Sequence, residues 1–271
     1  MSVADPAVNP RAPAGGPKLL GVVNLSPESM VRESIARTPD EALVRARALQ
    51  AEGVEWIDLG GRSITPDAPM IDDVEEQRRL APTAKRLRAE GVRYSVDTWS
   101  AETGIQALEW GADVINFTGQ DASPRMLDAI ASAGASLILT HMPYGNAYEM
   151  RARPFSPLPT DLVGEILVWF APRVAAARAA GVREIIVDPN VGIIHPDTDD
   201  FEKIHRQLEI VWQTERLRAL ECPVMYYAAR KPERLARIMM ASAVLHAKPE
   251  YIRTHEPLLL RELMRAAGGT S

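Results

Sequence analysis

Four polar side chains of the sequence have the chemistry to hold a flat nitrogen heterocycle. Asp97 and Asp188 are carboxylates that accept hydrogen bonds from amino and ring N–H groups. Asn116 offers an amide, and Lys231 can donate to a carbonyl. A ring with adjacent N–H donors and a carbonyl, as in guanine or a 2-amino-4-oxo pterin, would use all four. The sequence therefore predicts that Asp97, Asn116, Asp188 and Lys231 bind one planar ligand.

A second set of residues suits an anion. Arg253 and His255 are two apart in an apolar run, so both side chains lie on one face of a strand. A guanidinium and an imidazole on that face favour phosphate. In the structural alternative, Arg253 pairs with a carboxylate at the rim such as Glu256, and His255 only caps a helix.

Other polar residues at the ends of apolar runs have competing interpretations. His141 is equally a hydrogen-bonded histidine at the rim or a group that binds a ligand. Asp58 lies inside its apolar run, which favours a buried structural carboxylate. Asp97, taken alone, is typical of a residue that caps the next helix. Metal binding by histidine and aspartate is the rival to an organic ring, but no His-Glu-x-x-His motif or close histidine pair favours a zinc site.

These residues follow elements that repeat along the chain. A short β-rich apolar run precedes a longer segment of helical periodicity, and the pair recurs eight times. Apolar strands of this kind need a sheet covered on both faces. Eight such units predict a single (β/α)8 TIM barrel, whose chemistry lies where strands end and loops begin. A doubly wound open sheet is the competitor, but no G-x-G-x-x-G motif follows the first strand. The eight runs are "KLLGVVNL", "EWIDLGG", "RYSVDT", "ADVINFTG", "ASLILTHM", "REIIVDPN", "PVMYYAAR" and "EYIRTHEP".

Composition narrows the class of protein. The 271 residues are 46% hydrophobic and carry a net charge of −5, so no basic surface favours nucleic acid or an anionic membrane. No long apolar run or signal pattern appears, and the one cysteine, Cys222, fits a reducing cytoplasm. Residues 1–17 are rich in Pro, Gly and Ala and predict a disordered lead-in, which leaves residues 18–271 as the barrel.

Eight ordered motifs give the chain a family resemblance. The segments "GVVNLSPES", "IDLGGRSITP", "SVDT", "GADVINFTG", "THM", "VDPNVG", "ARKP" and "IRTHE" occur in the order and spacing of dihydropteroate synthases. The resemblance covers nearly the whole chain, from about residue 21 to residue 256. It implies a (β/α)8 barrel, usually a homodimer. Such a barrel joins a pterin hydroxymethyl pyrophosphate to p-aminobenzoate and releases pyrophosphate with Mg²⁺ present.

The resemblance also assigns roles to residues by matching position. It implies that the four residues named first, Asp97, Asn116, Asp188 and Lys231, hold the pterin. It implies that Asn24, Arg253 and His255 hold the pyrophosphate and its magnesium ion, with Asn24 as the protein ligand of the metal.

The sequence departs from the family pattern around the second substrate. The family's E-S-T-R-P-G loop reads "RSITPD" here, which removes a threonine and an arginine that serve aminobenzoate and pyrophosphate. Arg62 is the candidate to replace the missing cation. The first loop lacks the Asp-Gly-Gly lid, Asn190 replaces a glycine, and Pro232 replaces a serine. Because the pterin residues survive, we expect a pterin-like ligand with a partner other than p-aminobenzoate.

Several functions remain open at this point. The favoured hypothesis is a divergent family member that acts on another partner, in specialised metabolism. The runner-up is a working dihydropteroate synthase of folate biosynthesis with unusual loops. A third hypothesis is a barrel that binds methyltetrahydrofolate and passes its methyl group to a corrinoid protein. The fourth is a pterin-binding protein without catalysis. An anion site at Arg253 and His255 would favour the first two over methyl transfer.

Overall fold

The structure, a computed structural model, describes residues 16–65, 68–153, 159–192, 198, 200–228 and 233–268. The strands in these residues are β1 (Lys18–Asn24), β2 (Trp56–Gly60), β3 (Tyr94–Thr98), β4 (Val114–Phe117), β5 (Ser136–Thr140), β6 (Ile185–Asp188), β7 (Met225–Tyr227) and β8 (Tyr251–Thr254). All eight predicted apolar runs contain one of them.

The strands form one parallel sheet in the order β6-β5-β4-β3-β2-β1-β8-β7. A parallel bridge between Val187 and Val224 joins β6 to the start of β7, so the sheet closes into a barrel. The predicted (β/α)8 barrel is confirmed, and the open-sheet alternative is wrong. The first strand begins at Lys18. Residues 1–15 lie outside the described residues, so the disordered lead-in stays a prediction.

Helices follow the strands and cover the outside of the sheet. Side-chain caps start several of them: Thr38, Asp72, Ser100 and Ser123 each accept a backbone N–H of the first turn. The α-helices are α1 (Pro39–Ala51), α2 (Asp73–Ala89), α3 (Ala101–Glu109), α4 (Pro124–Ala133), α5 (Ala147–Ala152), α6 (Leu162–Ala179), α7 (Asp200–Trp212), α8 (Thr214–Leu217), α9 (Arg234–His246) and α10 (Pro257–Ala266), with 3₁₀ turns at Arg32–Ser34 and Arg218–Leu220. In the described part of the chain, no helix is both long and apolar enough to cross a membrane.

The alternation of side chains along each strand decides what faces the barrel interior. Seven of the strands contribute one residue each to a small buried cluster that is separate from the main core. These residues fill the barrel, because successive side chains of a strand point to opposite faces. They are Leu20, Trp56, Val114, Ile138, Ile186, Met225 and Tyr251. The residue two positions further along each strand therefore points inward as well, one layer closer to the C-terminal mouth.

Close packing requires the two glycines at the end of β2. A Cβ on Gly60 would lie 3.2 Å from Asn24 Oδ1, and a Cβ on Gly61 would lie 3.0 Å from Leu80 of α2. A side chain at either position would displace the first polar residue of the mouth or push α2 outward. The glycine pair thus lets β2 turn directly into the loop that begins with Arg62.

Candidate functional site

The C-terminal ends of the strands surround a pocket of about 400 Å³. The inward-pointing residues that lie one layer above the apolar cluster line this pocket, as strand geometry requires. The strand residues at this wall include Asn24, Gly60, Asp97, Asn116, Thr140, Asp188, Tyr227 and Arg253.

A buried carboxylate lies beneath the pocket and ties four strands together. Asp58, which is fully buried, accepts from Ser95 Oγ at 2.5 Å and from Asn116 Nδ2 at 3.3 Å. It also accepts from Arg253 Nε at 2.5 Å. The prediction that Asp58 is a structural carboxylate is confirmed, since each of these bonds is made to the protein.

Arg253 bridges two carboxylates. Its Nε donates to Asp58, and one terminal amino group donates to Asp97 at 2.8 Å. Burial disfavours the charged form, but the two carboxylates outweigh burial and raise the pKa of the Arg253 guanidinium. Arg253 is therefore paired with carboxylates, as in the structural alternative, but its partners are Asp58 and Asp97 and not Glu256, which accepts from Arg237 at 2.7 Å.

The same guanidinium keeps capacity for another acceptor. Arg253 has a second terminal amino group, and it donates to no acceptor among the described residues. His255 lies next to it on the pocket wall, with its ring edge-on to Tyr227 at 5.9 Å between centroids. The structure thus places both residues of the predicted anion site at the pocket, with Arg253 partly committed to carboxylates.

Asp97 and Asn116 also lie side by side on the pocket wall. Asp97 accepts from Thr118 Oγ1 at 3.1 Å and from Arg253, while Asn116 Oδ1 accepts from Thr140 Oγ1 at 3.3 Å. Burial raises the pKa of Asp97 to about 6, against the opposing effect of Arg253. The helix after β3 is capped by Ser100, so the capping interpretation of Asp97 is wrong.

Asp188 is a carboxylate of the pocket wall with one oxygen that the described residues do not use. Its side chain is 5% exposed, and within the described part of the chain it accepts only the backbone N–H of Asn190, through Oδ1 at 2.8 Å. Burial raises its pKa to about 7. Asn190 adopts φ 61, the left-handed conformation that asparagine tolerates, which accounts for this residue at a position where the family has glycine. The second oxygen of Asp188 is therefore able to accept from a ligand.

Asn24 is held in one orientation. Ser34 Oγ donates to the Val31 carbonyl at 2.6 Å, so it must accept from Asn24 Nδ2, which lies 2.6 Å away. Ser29 Oγ accepts from the same amino group at 3.1 Å. This arrangement turns Asn24 Oδ1 toward Gly60 and leaves it without a donor among the described residues. No cluster of three or more His, Cys, Asp or Glu side chains suited to a metal occurs in that part of the chain.

Arg62 is not the unpaired cation that the sequence led us to expect. Its guanidinium donates to Asp73, lies 3.4 Å from Glu76 Oε2, and stacks 4.6 Å from the ring centre of Trp99. Only 4% of the side chain is exposed. The expectation that Arg62 replaces the family's missing cation stays a prediction: Arg62 lines the pocket, but two acidic side chains of α2 contact its guanidinium.

His141 does not reach the pocket. Thr140 points inward, so His141 points outward and packs against Trp169, with 5.1 Å between ring centres, and against Phe170. Burial and, secondarily, Arg173 lower the pKa of His141 to about 4, so the imidazole is neutral. The structure contradicts its predicted role in substrate binding.

The site also includes pocket residues that the sequence analysis did not predict, and one predicted residue lies outside the described part of the chain. Lys231 lies outside the described residues, so its role stays a prediction. Sequence reasoning missed Thr118, Tyr227 and Trp99, which line the pocket. Thr118 and Tyr227 are two residues from Asn116 and Met225, so strand alternation would have placed them on the inward face. No comparable signal marks Trp99.

Comparisons with known proteins show the family and the fold of the chain. A sequence model of the family described as "Pterin binding enzyme" matches residues 20–247. Dihydropteroate synthase type-2 of Escherichia coli is 28% identical over 262 residues, which cover 90% of this chain and 92% of the relative. Dihydropteroate synthase of Mycobacterium leprae is 30% identical over 79% of this chain and 73% of the relative. The structure of Yersinia pestis dihydropteroate synthase with a sulfonamide drug complex shares the fold, with a TM-score of 0.78, 24% identity and 93% of both chains covered.

Proposed function

The chain belongs to the dihydropteroate synthase family of pterin-binding enzymes, and from this premise we propose that it transfers a pterin-like methylene group to an amine other than p-aminobenzoate. The observation that carries the proposal is Asp188, a buried carboxylate with one oxygen available at the pocket. A carboxylate in that state needs N–H donors, and the amino and ring N–H groups of a pterin supply two on adjacent atoms.

The rest of the proposed ring site follows from the neighbours of Asp188. Asn116 and Asp97 stand on adjacent strands with their polar atoms at the same pocket. Asn116 is fixed by Asp58 and Thr140, so its amide is presented in one orientation. Lys231, by resemblance, would donate to the ring carbonyl. A planar ring that donates to the carboxylates and accepts from the lysine matches this set.

Arg253, His255 and Asn24 are the proposed residues for a pyrophosphate leaving group. The second amino group of Arg253 and the imidazole of His255 lie at the pocket, where phosphate oxygens would accept from them. Asn24 Oδ1 suits Mg²⁺, because magnesium in such sites is held by few protein oxygens together with substrate phosphates. The ion, when bound, would neutralise charge on the departing pyrophosphate.

The proposed step follows the family reaction. The amine nitrogen forms a bond to the methylene carbon of the pterin, and the bond from that carbon to the pyrophosphate oxygen breaks. Pyrophosphate leaves with the electron pair, and the new secondary amine loses one proton. Arg253 and His255 support this step by donating to the oxygens on which negative charge accumulates.

The loop after β2 supports a different second substrate. Ser63 Oγ and Thr65 Oγ1 lie 2.7 Å apart, and Thr65 Oγ1 donates to the Glu28 carbonyl at 3.2 Å. These hydroxyls are thus used to join the two loops of the mouth, and Ile64 beside them is 40% exposed. Arg62 of this loop is only 4% exposed, and two carboxylates contact one of its terminal amino groups, so it presents little of its charge to a substrate carboxylate.

A second candidate function is dihydropteroate synthase itself. The observation that favours it is the similarity along most of the chain to proteins with that name. The two candidate functions use the same pterin substrate and the same pyrophosphate leaving group, and they differ only in the amine that accepts the pterin. Homodimerisation and a cytoplasmic location, which the resemblance and the composition favour, stay predictions.

The test compares amines on one enzyme preparation. Calorimetry should show binding of pterin hydroxymethyl pyrophosphate, and release of pyrophosphate should depend on an added amine. We expect p-aminobenzoate to react at least about tenfold more slowly than the best amine, since one lost polar contact costs about 1–2 kcal/mol. Equal or faster reaction with p-aminobenzoate would establish the second candidate. Failure to bind the pterin pyrophosphate, with binding of methyltetrahydrofolate, would favour methyl transfer instead.

A further inference from the structure

The side of the pocket next to Arg62 contains a cation whose charge is cancelled. Arg62 lines the pocket, but Asp73 and Glu76 both contact its guanidinium. Counting one positive and two negative side chains, this cluster carries a net charge between 0 and −1, depending on the protonation of Glu76. A substrate carboxylate brought to this side would meet a guanidinium whose charge Asp73 already balances, and Glu76 adds a second negative charge when it is ionised.

Asp73 is the acidic residue of this cluster whose ionised form the structure favours. Burial opposes its ionisation, but hydrogen bonds from Ser100 and Arg62 outweigh burial and lower the pKa of Asp73. Ser100 Oγ donates to Asp73 Oδ2 at 2.6 Å, while Arg62 donates to the other oxygen. Glu76 is fully buried behind the same guanidinium and accepts from Thr98 Oγ1 at 2.9 Å. Asp73 alone is therefore enough to cancel the charge of Arg62 at neutral pH.

The remaining wall on this side is aromatic and apolar. Trp99 stacks on Arg62 and contacts Tyr148 edge-on, with 4.9 Å between ring centres. Met30, Ile64 and Met142 line the same pocket, and Met30 and Ile64 are exposed. Such surroundings favour an aromatic ring without charge, because these side chains offer apolar contact area.

From these contacts we propose that Asp73 is a specificity-determining residue, which cancels the charge of Arg62 and so selects an uncharged aromatic amine as the second substrate over an amine that carries a carboxylate. The inference rests on the proposed function and names the class of amine for the same pocket. Asp73 acts through Arg62 and is a positioning residue, so it need not touch the amine.

The test uses 4-aminobenzamide and 4-aminobenzoate, which have nearly the same shape and differ in charge. Enzyme saturated with pterin hydroxymethyl pyrophosphate and Mg²⁺ is assayed for pyrophosphate release with each amine. In the wild type we expect the amide to be preferred in kcat/KM by about tenfold or more, the scale of one charge-assisted contact. Asp73→Asn removes the charge and keeps one acceptor oxygen, so one of the two donors, Arg62 or Ser100, retains its hydrogen bond while the other faces the NH₂ group. That variant should shift the ratio toward 4-aminobenzoate by about tenfold.

The neighbouring residue provides a matched control. Asp72 is an exposed acidic residue that caps α2 and makes no contact with Arg62. Asp72→Asn removes the same charge one position away and keeps a good capping residue, so the ratio should stay at the wild-type value. Arg62→Gln added to Asp73→Asn should abolish the shift, because no cation is then released for the carboxylate.

Two measurements distinguish an error in this inference from an error in the proposed function: pyrophosphate release tests the transferase function, and the preference between the two amines tests the role of Asp73. If no amine supports pyrophosphate release, the transferase function is wrong, and binding of the two amines to the pterin-loaded protein still tests selectivity. A wild type that prefers 4-aminobenzoate would overturn the inference. Equal shifts in Asp73→Asn and Asp72→Asn, or none in Asp73→Asn, would overturn it as well.

Discussion

At the scale of single residues, the number of hydrogen-bond donors from the protein distinguishes Asp188, the proposed binding carboxylate, from Asp58, the structural one. Asp58 and Asp188 are both buried, but Asp58 accepts from Ser95, Asn116 and Arg253, whereas Asp188 accepts one backbone N–H among the described residues. An acceptor oxygen at a pocket wall that no protein group uses is available to the donors of a ligand.

This difference leads to a prediction for Asp188→Asn. The substitution keeps the shape of the side chain but replaces a charged acceptor with an amide, whose NH₂ group faces ligand donors. We expect binding of a pterin-type ring to weaken by about 2 kcal/mol, or roughly thirtyfold. Isothermal titration calorimetry measures the change.

A suitable control for that measurement is Asp121→Asn. Asp121 is 69% exposed and pairs with Arg173 away from the strand ends of the pocket, so ring affinity should stay within error of the wild type. Unchanged affinity in Asp188→Asn would show that Asp188 does not bind the ring.

At the scale of elements, strand alternation explains both the successes and an avoidable error of the sequence analysis. All eight strands fall inside the predicted apolar runs, because parallel barrel strands must be apolar on both faces. The inward layer also contains Asp97, Asn116 and Asp188 as predicted. His141, in contrast, follows the inward Thr140 directly, so the period of two already placed it on the outer face.

Other features of the site had no signal in the sequence. The partners of Arg62 lie 11 and 14 residues further along the chain, at the start of α2. Which acidic residue of that helix turns toward the pocket depends on how α2 packs against Gly61, and this depends on tertiary contacts. The pairing of Arg253 with Asp58 joins residues 195 positions apart, so only the closed barrel brings them together.

Two helix caps give a prediction at this scale. Ser100 caps α3 and also donates to Asp73, whereas Ser123 caps α4 by the same kind of bond to Met126 N at 3.2 Å. Ser100→Ala and Ser123→Ala should each destabilise the fold by about 1 kcal/mol, measured by urea denaturation. Only Ser100→Ala should change the preference between 4-aminobenzamide and 4-aminobenzoate. Equal effects of the two variants on that preference would contradict the link from Ser100 through Asp73.

At the scale of the whole molecule, the ionisable groups of the pocket set how stability depends on pH. Burial raises the pKa values of Asp188 and Glu76 to about 7 and that of Asp97 to about 6. In the unfolded chain these groups titrate at about 4. Between pH 4 and pH 7 the folded protein therefore binds more protons at these positions than the unfolded chain does.

The sign of the pH dependence follows from proton linkage. The free energy of unfolding falls as pH rises wherever the folded state binds more protons. His141 works the other way, because its pKa is lowered to about 4 and the unfolded imidazole titrates near 6.5. Three carboxyl groups act against this one imidazole, so their sum decides the direction. The carboxyl groups whose pKa values are lowered to about 2, Glu75 and Asp161, are ionised in both states above pH 5 and add nothing in this window.

We therefore expect the ligand-free protein to lose about 2 kcal/mol of stability between pH 5.5 and pH 7.5, an order-of-magnitude value for one to two net protons. Urea denaturation at constant ionic strength across this range measures the change in the free energy of unfolding.

Asp188→Asn removes one of the three carboxyl groups with a raised pKa. The stability of this variant should therefore fall less steeply with pH, and at pH 7.5 it should equal or exceed that of the wild type. A saturating pterin-type ligand should flatten the wild-type profile, because donors to Asp188 stabilise its charged form. Stability that rises from pH 5.5 to pH 7.5 in the ligand-free protein would mean that the strand-end carboxylates are ionised and compensated without a ligand, which would remove the physical basis for a ring site at Asp188.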